Sequence, residues 1–439
     1  MMNPMNPMNP MTSIKPLDPI KPDSAVRRIV VVGAGLAGHE CVSRLLADTS
    51  LDAEITWFGA EPDRPYNRVL LTDLLAGGHA PDAIGLPVLA DGRLIDRHTH
   101  AVQAIVRGEA IAHYRQHDGA PRSSRPPFPA VGHVRVGGGE TVPYDRLVLA
   151  TGADPVLPSV RGNAVPLRTL NDVRTILHAL DAKTRRVAVV GGGPLGIQTA
   201  CALRARGLHV ELLHQGPYLL NEWVEREAGD LIANSLRAGD IGVRCETRVT
   251  AATGEEWPRA DLVVIACGTR PRIGLAKAAG LPTARGVLAD PENCRSTGDP
   301  AVFAVGDCSQ TGDTVHGLAL PALDQARRAA EAILADHHQT TAKVYRAAPT
   351  LLRLRSHGVA GVETAVLAAP AAPAAVPGLR LTDQHRRTHK SLTMSRDGAR
   401  IVGATLVGEV AAAAALSRLL TWPDPQPAIP VAILAAATP

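Results

Sequence analysis

An α/β fold is predicted, with two parallel-sheet domains and a small α+β domain toward the C-terminal end. Three observations predict it. A strand–glycine turn–helix–strand unit opens near Arg27, the same unit returns from Arg186, and short runs of β-branched apolar residues elsewhere end in small-residue turns.

The first unit begins with Ile29-Val30-Val31-Val32, a run that reads as a buried parallel strand. Gly33-Ala34-Gly35-Leu36-Ala37-Gly38 follows, then a helical pattern through Leu46, then Ile55 to Phe58 as the next strand. In such a unit Gly33 permits the tight turn, Gly35 lets backbone approach a pyrophosphate, and Gly38 lets the helix pack on the strand. The second unit has Arg186 to Val190 as its strand, Gly191-Gly192-Gly193-Pro194-Leu195-Gly196 as its turn, a helix through Arg206, and His209 to Leu213 as its second strand. Gly191, Gly193 and Gly196 take the corresponding places. Two Rossmann-like dinucleotide-binding domains are therefore expected. Such units carry an acid at the end of the second strand for the ribose hydroxyls. In the first unit that place holds Gly59, and Glu61 is the nearest carboxylate. In the second it holds His214.

Further strands read as crossings. Tyr144 to Leu149 ends in Ala150-Thr151-Gly152, a small turn suited to passing a cofactor, and Asp261 to Pro271 reads as the return strand. Ala301 to Val305 ends in Gly306-Asp307, where a carboxylate can accept hydrogen bonds from sugar hydroxyls. Domain limits follow: a disordered Asn-Pro-Met-rich tail over 1–25, a first dinucleotide domain over 26–155 and 268–338, a second over 156–267, an interface domain over 341–420, and a Pro-rich tail over 421–439. Asp118 to Pro129 reads as a loop, and Ala365 to Pro377 as an Ala/Pro-rich interruption of the C-terminal domain.

Composition excludes several classes. The 439 residues are 45% apolar and 20% charged with net charge +4, an ordinary globular balance without a clustered basic run for nucleic acid. No apolar stretch is long enough to span a membrane, and no signal-peptide pattern opens the chain, so a cytoplasmic protein is expected. The six cysteines form no Cys-x-x-Cys pair, and no metal ligand set can be assembled from their spacing.

Taken together, these motifs resemble the two-dinucleotide flavoprotein reductases, the pyridine nucleotide–disulfide oxidoreductase superfamily. The narrower likeness is to the flavin module at the N-terminus of the nitrite reductase large subunit and to rubredoxin and ferredoxin reductases. It rests on Phe58-Gly59-Ala60-Glu61-Pro62, Pro65 to Leu71, Gly317 to Ala326 and Arg400 to Gly408. The resemblance implies a three-layer fold with the NAD(P)H domain nested inside the FAD domain. It implies FAD and NADH as cofactors, with NADPH as the alternative donor. It places Arg68 against the FAD phosphates, and Thr151-Gly152 and Gly306-Asp307 at the flavin. Disulfide-reducing members carry a thiol just after the first unit, whereas Tyr66 to Leu75 has none. Ferredoxin-reductase relatives carry a Lys and a Glu where this chain has Asp73 and Gln198. Gln198 could still bond a nicotinamide carboxamide.

The implied activity is transfer of electrons from NADH through FAD to a ferredoxin, a rubredoxin or a reductase subunit. The chain is expected to supply the electron-input half alone, with a homodimer possible. Hydride transfer needs no side-chain acid or base, so no catalytic residue is assigned. The alternatives are an NADH oxidase or peroxidase, and a redox-sensing binding protein. Gln215 to Glu225 has no Lys or Arg for a 2′-phosphate, and His214 could supply only a partial charge, so NADH is the expected preference.

Overall fold

The computed structural model describes residues 27–108, 132–158, 164–180, 183–249, 258–342, 349–368 and 375–421. The tails and the Asp118 to Pro129 loop lie outside these residues, Thr421 excepted. Strands form where the apolar runs are buried on both faces. Arg28–Val32, Arg146–Leu149 and Asp299–Ala304 lie side by side at the centre of an eight-stranded sheet. Its order is Ser309–Thr311, Val287–Ala289, Arg295–Ser296, Asp299–Ala304, Arg146–Leu149, Arg28–Val32, Glu54–Phe58, Leu94–Arg97. The last five are mutually parallel, and Val32 stands opposite both Phe58 and Leu149. This register brings the Gly33 turn, Gly59, Ala150-Thr151 and Val305-Gly306 to one edge, where open α/β sheets bind ligands.

The second sheet is wholly parallel, in the order Ile241–Arg244, His209–Leu213, Arg186–Val190, Leu262–Ile265, Ala164–Pro166. Its strands come from the chain between the two contributions to the first sheet, so one domain is nested in the other. The outgoing and returning crossings, Ala153–Pro155 and Thr269–Pro271, pair antiparallel. Helix Ala319–His338 packs on helix Leu36–Ala47, and Ala326, Ala329, Ala330, Ala37 and Cys41 lie in their common core.

The C-terminal sheet is antiparallel, in the order Thr350–Leu354, Thr364–Ala368, Ile401–Val407, Thr388–Ser395, Ala375–Asp383, and helix Ala413–Leu420 shares its core. Here the reading of Ala365 to Pro377 as an interruption is corrected at its two ends, 369–374 lying outside the described residues. Both its ends are strand, the first carrying the buried Ala365 and Leu367. The alanines and proline hid the pattern. Pro377 is tolerated because its strand is at the sheet edge and bulges between Pro377 and Arg380.

This sheet is tied to the second dinucleotide domain by a half-buried pair. Fully buried His389 meets Glu225 at 2.7 Å, at the N-terminus of helix Arg226–Ala238. Burial pushes the Glu225 carboxyl up, but hydrogen bonds from His389 and Ser391 outweigh it and hold the group at about 2, below its ordinary 4.5. A folded-state value below the unfolded one stabilises fully above the unfolded value and is lost as pH falls through the folded one. Thermal melts from pH 6 downward should therefore show stability falling between about 4.5 and 2. Glu225→Gln should lower Tm at pH 6 and flatten that fall. Parallel pH profiles for the two proteins would contradict the assignment.

Candidate functional site

The first cleft, about 590 Å³, opens at the carboxyl edge of the eight-stranded sheet. Gly33 has φ +124°, and a Cβ there would lie 2.0 Å from the Ala150 carbonyl oxygen. A Cβ on Gly38 would lie 1.9 Å from the Gly33 oxygen, so this glycine sets the helix against the turn. A Cβ on Gly35 would meet nothing within 4 Å. Gly35 is the N-cap of its helix, and no side chain caps the exposed amides. Free N–H donors and the positive end of a helix dipole thus face open space, the donor set a pyrophosphate requires.

Glu61, Arg68, Thr151 and Gly152 all line this cleft. Glu61 forms an ion pair with Arg68 and accepts a 2.6 Å hydrogen bond from the Tyr66 hydroxyl. Burial first, then Glu61, pushes the Tyr66 phenol up, so it stays a donor. Gly59 explains the displaced acid: a Cβ there would lie 2.3 Å from the His98 oxygen and 2.6 Å from Ala34 Cβ. Arg68 also donates to the Arg168 carbonyl at 2.9 Å. The Thr151 hydroxyl donates to the Arg272 carbonyl at 2.9 Å. Asp307 is one shell back, joined to the lining residue Arg168 at 2.5 Å, and the Gly306 amide donates to buried Gln325 at 2.8 Å.

The second cleft, about 650 Å³, repeats the design at the edge of the parallel sheet. A Cβ on Gly193 would meet nothing within 4 Å, whereas one on Gly196 would lie 1.7 Å from the Gly191 oxygen. His214 lines this cleft, but both ring nitrogens are engaged. The Gly192 amide donates to Nδ1 at 3.1 Å, so the ring hydrogen is on Nε2, which donates to Asn221 at 2.8 Å. Gln198 lines neither cleft. Its Nε2 reaches the Pro194 carbonyl at 3.5 Å and its Oε1 accepts from the Arg355 amide at 3.3 Å, while Asp73 pairs with the Arg355 guanidinium. The two departures from the ferredoxin-reductase pattern are thus bound to one C-terminal arginine.

The clefts share two lining residues, Arg168 and Pro271. Arg168 escaped the sequence reading because its signal is local and ordinary. It lies between an edge strand and a helix capped by Thr169 and Asp172. His98, His100, Arg272 and Arg248 are further lining residues without a motif. Among the described residues no group of His, Cys, Asp and Glu is placed to hold a metal, and no helix is long and apolar enough to cross a membrane.

Two clefts that share a wall, each with a glycine turn at the edge of a Rossmann-like sheet, are the arrangement expected of a two-cofactor oxidoreductase. The chain belongs to the pyridine nucleotide-disulphide oxidoreductase family, matched over residues 27–329. It is 28% identical over 404 residues to the nitrite reductase (NADH) large subunit of Escherichia coli (strain K12), covering 87% of this chain and 44% of that protein. It thus spans less than half the length of that relative. It is 32% identical over 296 residues to the ferredoxin–NAD(+) reductase component of the anthranilate 1,2-dioxygenase system of Burkholderia cepacia, covering 63% of this chain and 67% of that one. The crystal structure of the covalent putidaredoxin reductase–putidaredoxin complex superposes with TM-score 0.75 at 23% identity, covering 94% of this chain and 99% of that one, a likeness of fold. The chain is an FAD-dependent NAD(P)H oxidoreductase.

Proposed function

We propose that the chain takes electrons from NADH through FAD and delivers them to a one-electron protein carrier in the cytoplasm. The meeting of the two clefts at Arg168 and Pro271 carries this reading, because it lets two bound dinucleotides share one wall. Bound flavin supplies a hydride acceptor that can return electrons singly. In this reading Gly33, Gly35 and Gly38 seat the FAD pyrophosphate, Glu61 and Arg68 flank it, Thr151 and Gly152 hold the flavin end, and Gly306 and Asp307 support that end from behind, Asp307 through Arg168. Gly191, Gly193 and Gly196 seat the NADH pyrophosphate, and His214 closes the ribose end. Gln198 holds the C-terminal sheet and reaches a carboxamide only if it leaves Arg355. The segment 341–420 is the interface domain. A ferredoxin, a rubredoxin or a nitrite or nitrate reductase subunit is the acceptor, in keeping with the ferredoxin–NAD(+) reductase relative and the putidaredoxin complex.

The cysteines argue against an oxidase or peroxidase working through a protein thiol. Burial pushes Cys41, Cys201 and Cys294 up to about 12, and it also raises Cys245, Cys267 and Cys308. Thiols so placed are protonated and poor nucleophiles near neutral pH. A variant with all six cysteines replaced by Ser or Ala should, once folded and FAD-loaded, reduce an artificial acceptor from NADH within about twofold of the parent rate, the scale of a small packing change. Loss of flavin reoxidation in that variant would favour the thiol mechanism instead. An acceptor screen with NADH and purified ferredoxins, rubredoxins and reductase subunits tests the main proposal. Rapid turnover with one carrier supports it, and turnover with oxygen alone contradicts it.

A further inference from the structure

The lining of the donor cleft includes the seam residues Arg168 and Pro271 and, past the ends of strands His209–Leu213 and Ile241–Arg244, also His214, Gln215 and Arg248. A nicotinamide dinucleotide laid over Gly193 with its ring toward the seam brings its adenosine ribose to the His214 end. There Gln215 to Glu225 holds no Lys or Arg, and His214 commits both ring nitrogens to Gly192 and Asn221.

The neighbouring strand supplies the cation this loop lacks. Strand Ile241–Arg244 runs parallel to His209–Leu213. Past the strand ends the pairing continues: the His214 amide donates to the Arg244 carbonyl, the Thr247 amide to the His214 carbonyl and the Glu246 amide to the Gly216 carbonyl, each at 2.9 Å. These bonds hold Arg248 beside His214 in the cleft wall. Arg244 is paired with Glu211 at 3.0 Å, whereas Arg248 is exposed and makes no ion pair or hydrogen bond among the described residues. Glu222 is the one carboxylate in the same wall among the described residues.

We propose that Arg248 binds the 2′-phosphate of NADPH, so that the chain accepts both nicotinamide donors. A 2′-phosphate carries about two negative charges near neutral pH and calls for a guanidinium able to meet two of its oxygens. NADH needs no such partner, and Glu222 can accept its ribose hydroxyls, which keeps NADH competitive. The assignment deepens the donor reading above and rests on it.

The test uses FAD-loaded protein and ligands that cannot react. 2′,5′-ADP should bind at least about tenfold more tightly than 5′-AMP, because the extra phosphate meets a charge-assisted partner. Arg248→Ala should abolish that difference without changing 5′-AMP binding, and Arg248→Lys should retain part of it. In turnover, Arg248→Ala should lower kcat/KM for NADPH by about tenfold or more and leave NADH within about twofold. Added salt should weaken 2′,5′-ADP more steeply than 5′-AMP. Equal weakening of both ligands would mean that Arg248 lies on the adenine, and this overturns the proposal. So does a parent protein that binds the two ligands equally. Both bindings are read without turnover, so a failure to oxidise NADH would contradict the donor reading and leave the binding result to stand.

Discussion

Gly35→Glu is expected to purify colourless. Its backbone lies at φ −87° and ψ −171°, which any residue adopts, and the new side chain enters space where nothing stands within 4 Å. Folding should therefore survive. The carboxylate would instead lie where the FAD pyrophosphate belongs. Two like charges about 4 Å apart repel by about 4 kcal/mol at an effective dielectric constant of about 20, or about three decades in affinity. Circular dichroism should match the parent while the flavin absorbance disappears. A variant that keeps its full flavin spectrum would show that FAD is not seated at this turn.

Gly193→Glu is the matching experiment in the donor cleft. This glycine caps helix Pro194–Ala205 with φ −82° and ψ −176°, again ordinary extended backbone, and again a side chain would enter open space. The variant should purify yellow with a full complement of FAD. Its rate of reduction by NADH should fall by about three decades, on the same electrostatic argument. Photochemical or dithionite reduction of the flavin should be unaffected. The two glycine variants thus separate the sites: one loses the flavin, the other keeps it and loses the donor.

Much of this arrangement is legible in the sequence because it rests on local rules. A β-branched run, a glycine turn and a helix are contiguous, and backbone geometry dictates which glycines are required. Ala150-Thr151-Gly152 and Gly306-Asp307 are legible because small residues follow buried strands. What is not legible depends on residues far apart in the chain. Arg355 joins Asp73 and Gln198 across 282 and 157 positions, so the absence of the Lys and Glu of ferredoxin reductases could be seen without seeing what replaced their contacts. Glu61 could be proposed, but the steric bar at Gly59 comes from His98, just past the neighbouring strand, and from Ala34. Arg248 escaped a search confined to the loop after His214, because the cation comes from the next strand in the sheet. The strand Thr364–Ala368 is obscured because it opens an Ala/Pro-rich stretch whose composition resembles a linker, while Ala365 and Leu367 are buried.

The central claim is that donor and flavin occupy two clefts meeting at one wall, and that electrons pass between them without a protein thiol, although Cys267 lines the donor cleft. An anaerobic titration of the FAD-loaded protein with NADH, followed in the visible flavin spectrum, tests it most directly. The account predicts that one equivalent of NADH bleaches the flavin of each chain, without the long-wavelength absorbance of a thiolate–flavin pair, and identically in the cysteine-free variant. Flavin that stays oxidised under excess NADH and NADPH, or bleaching that is lost with the cysteines, would contradict it.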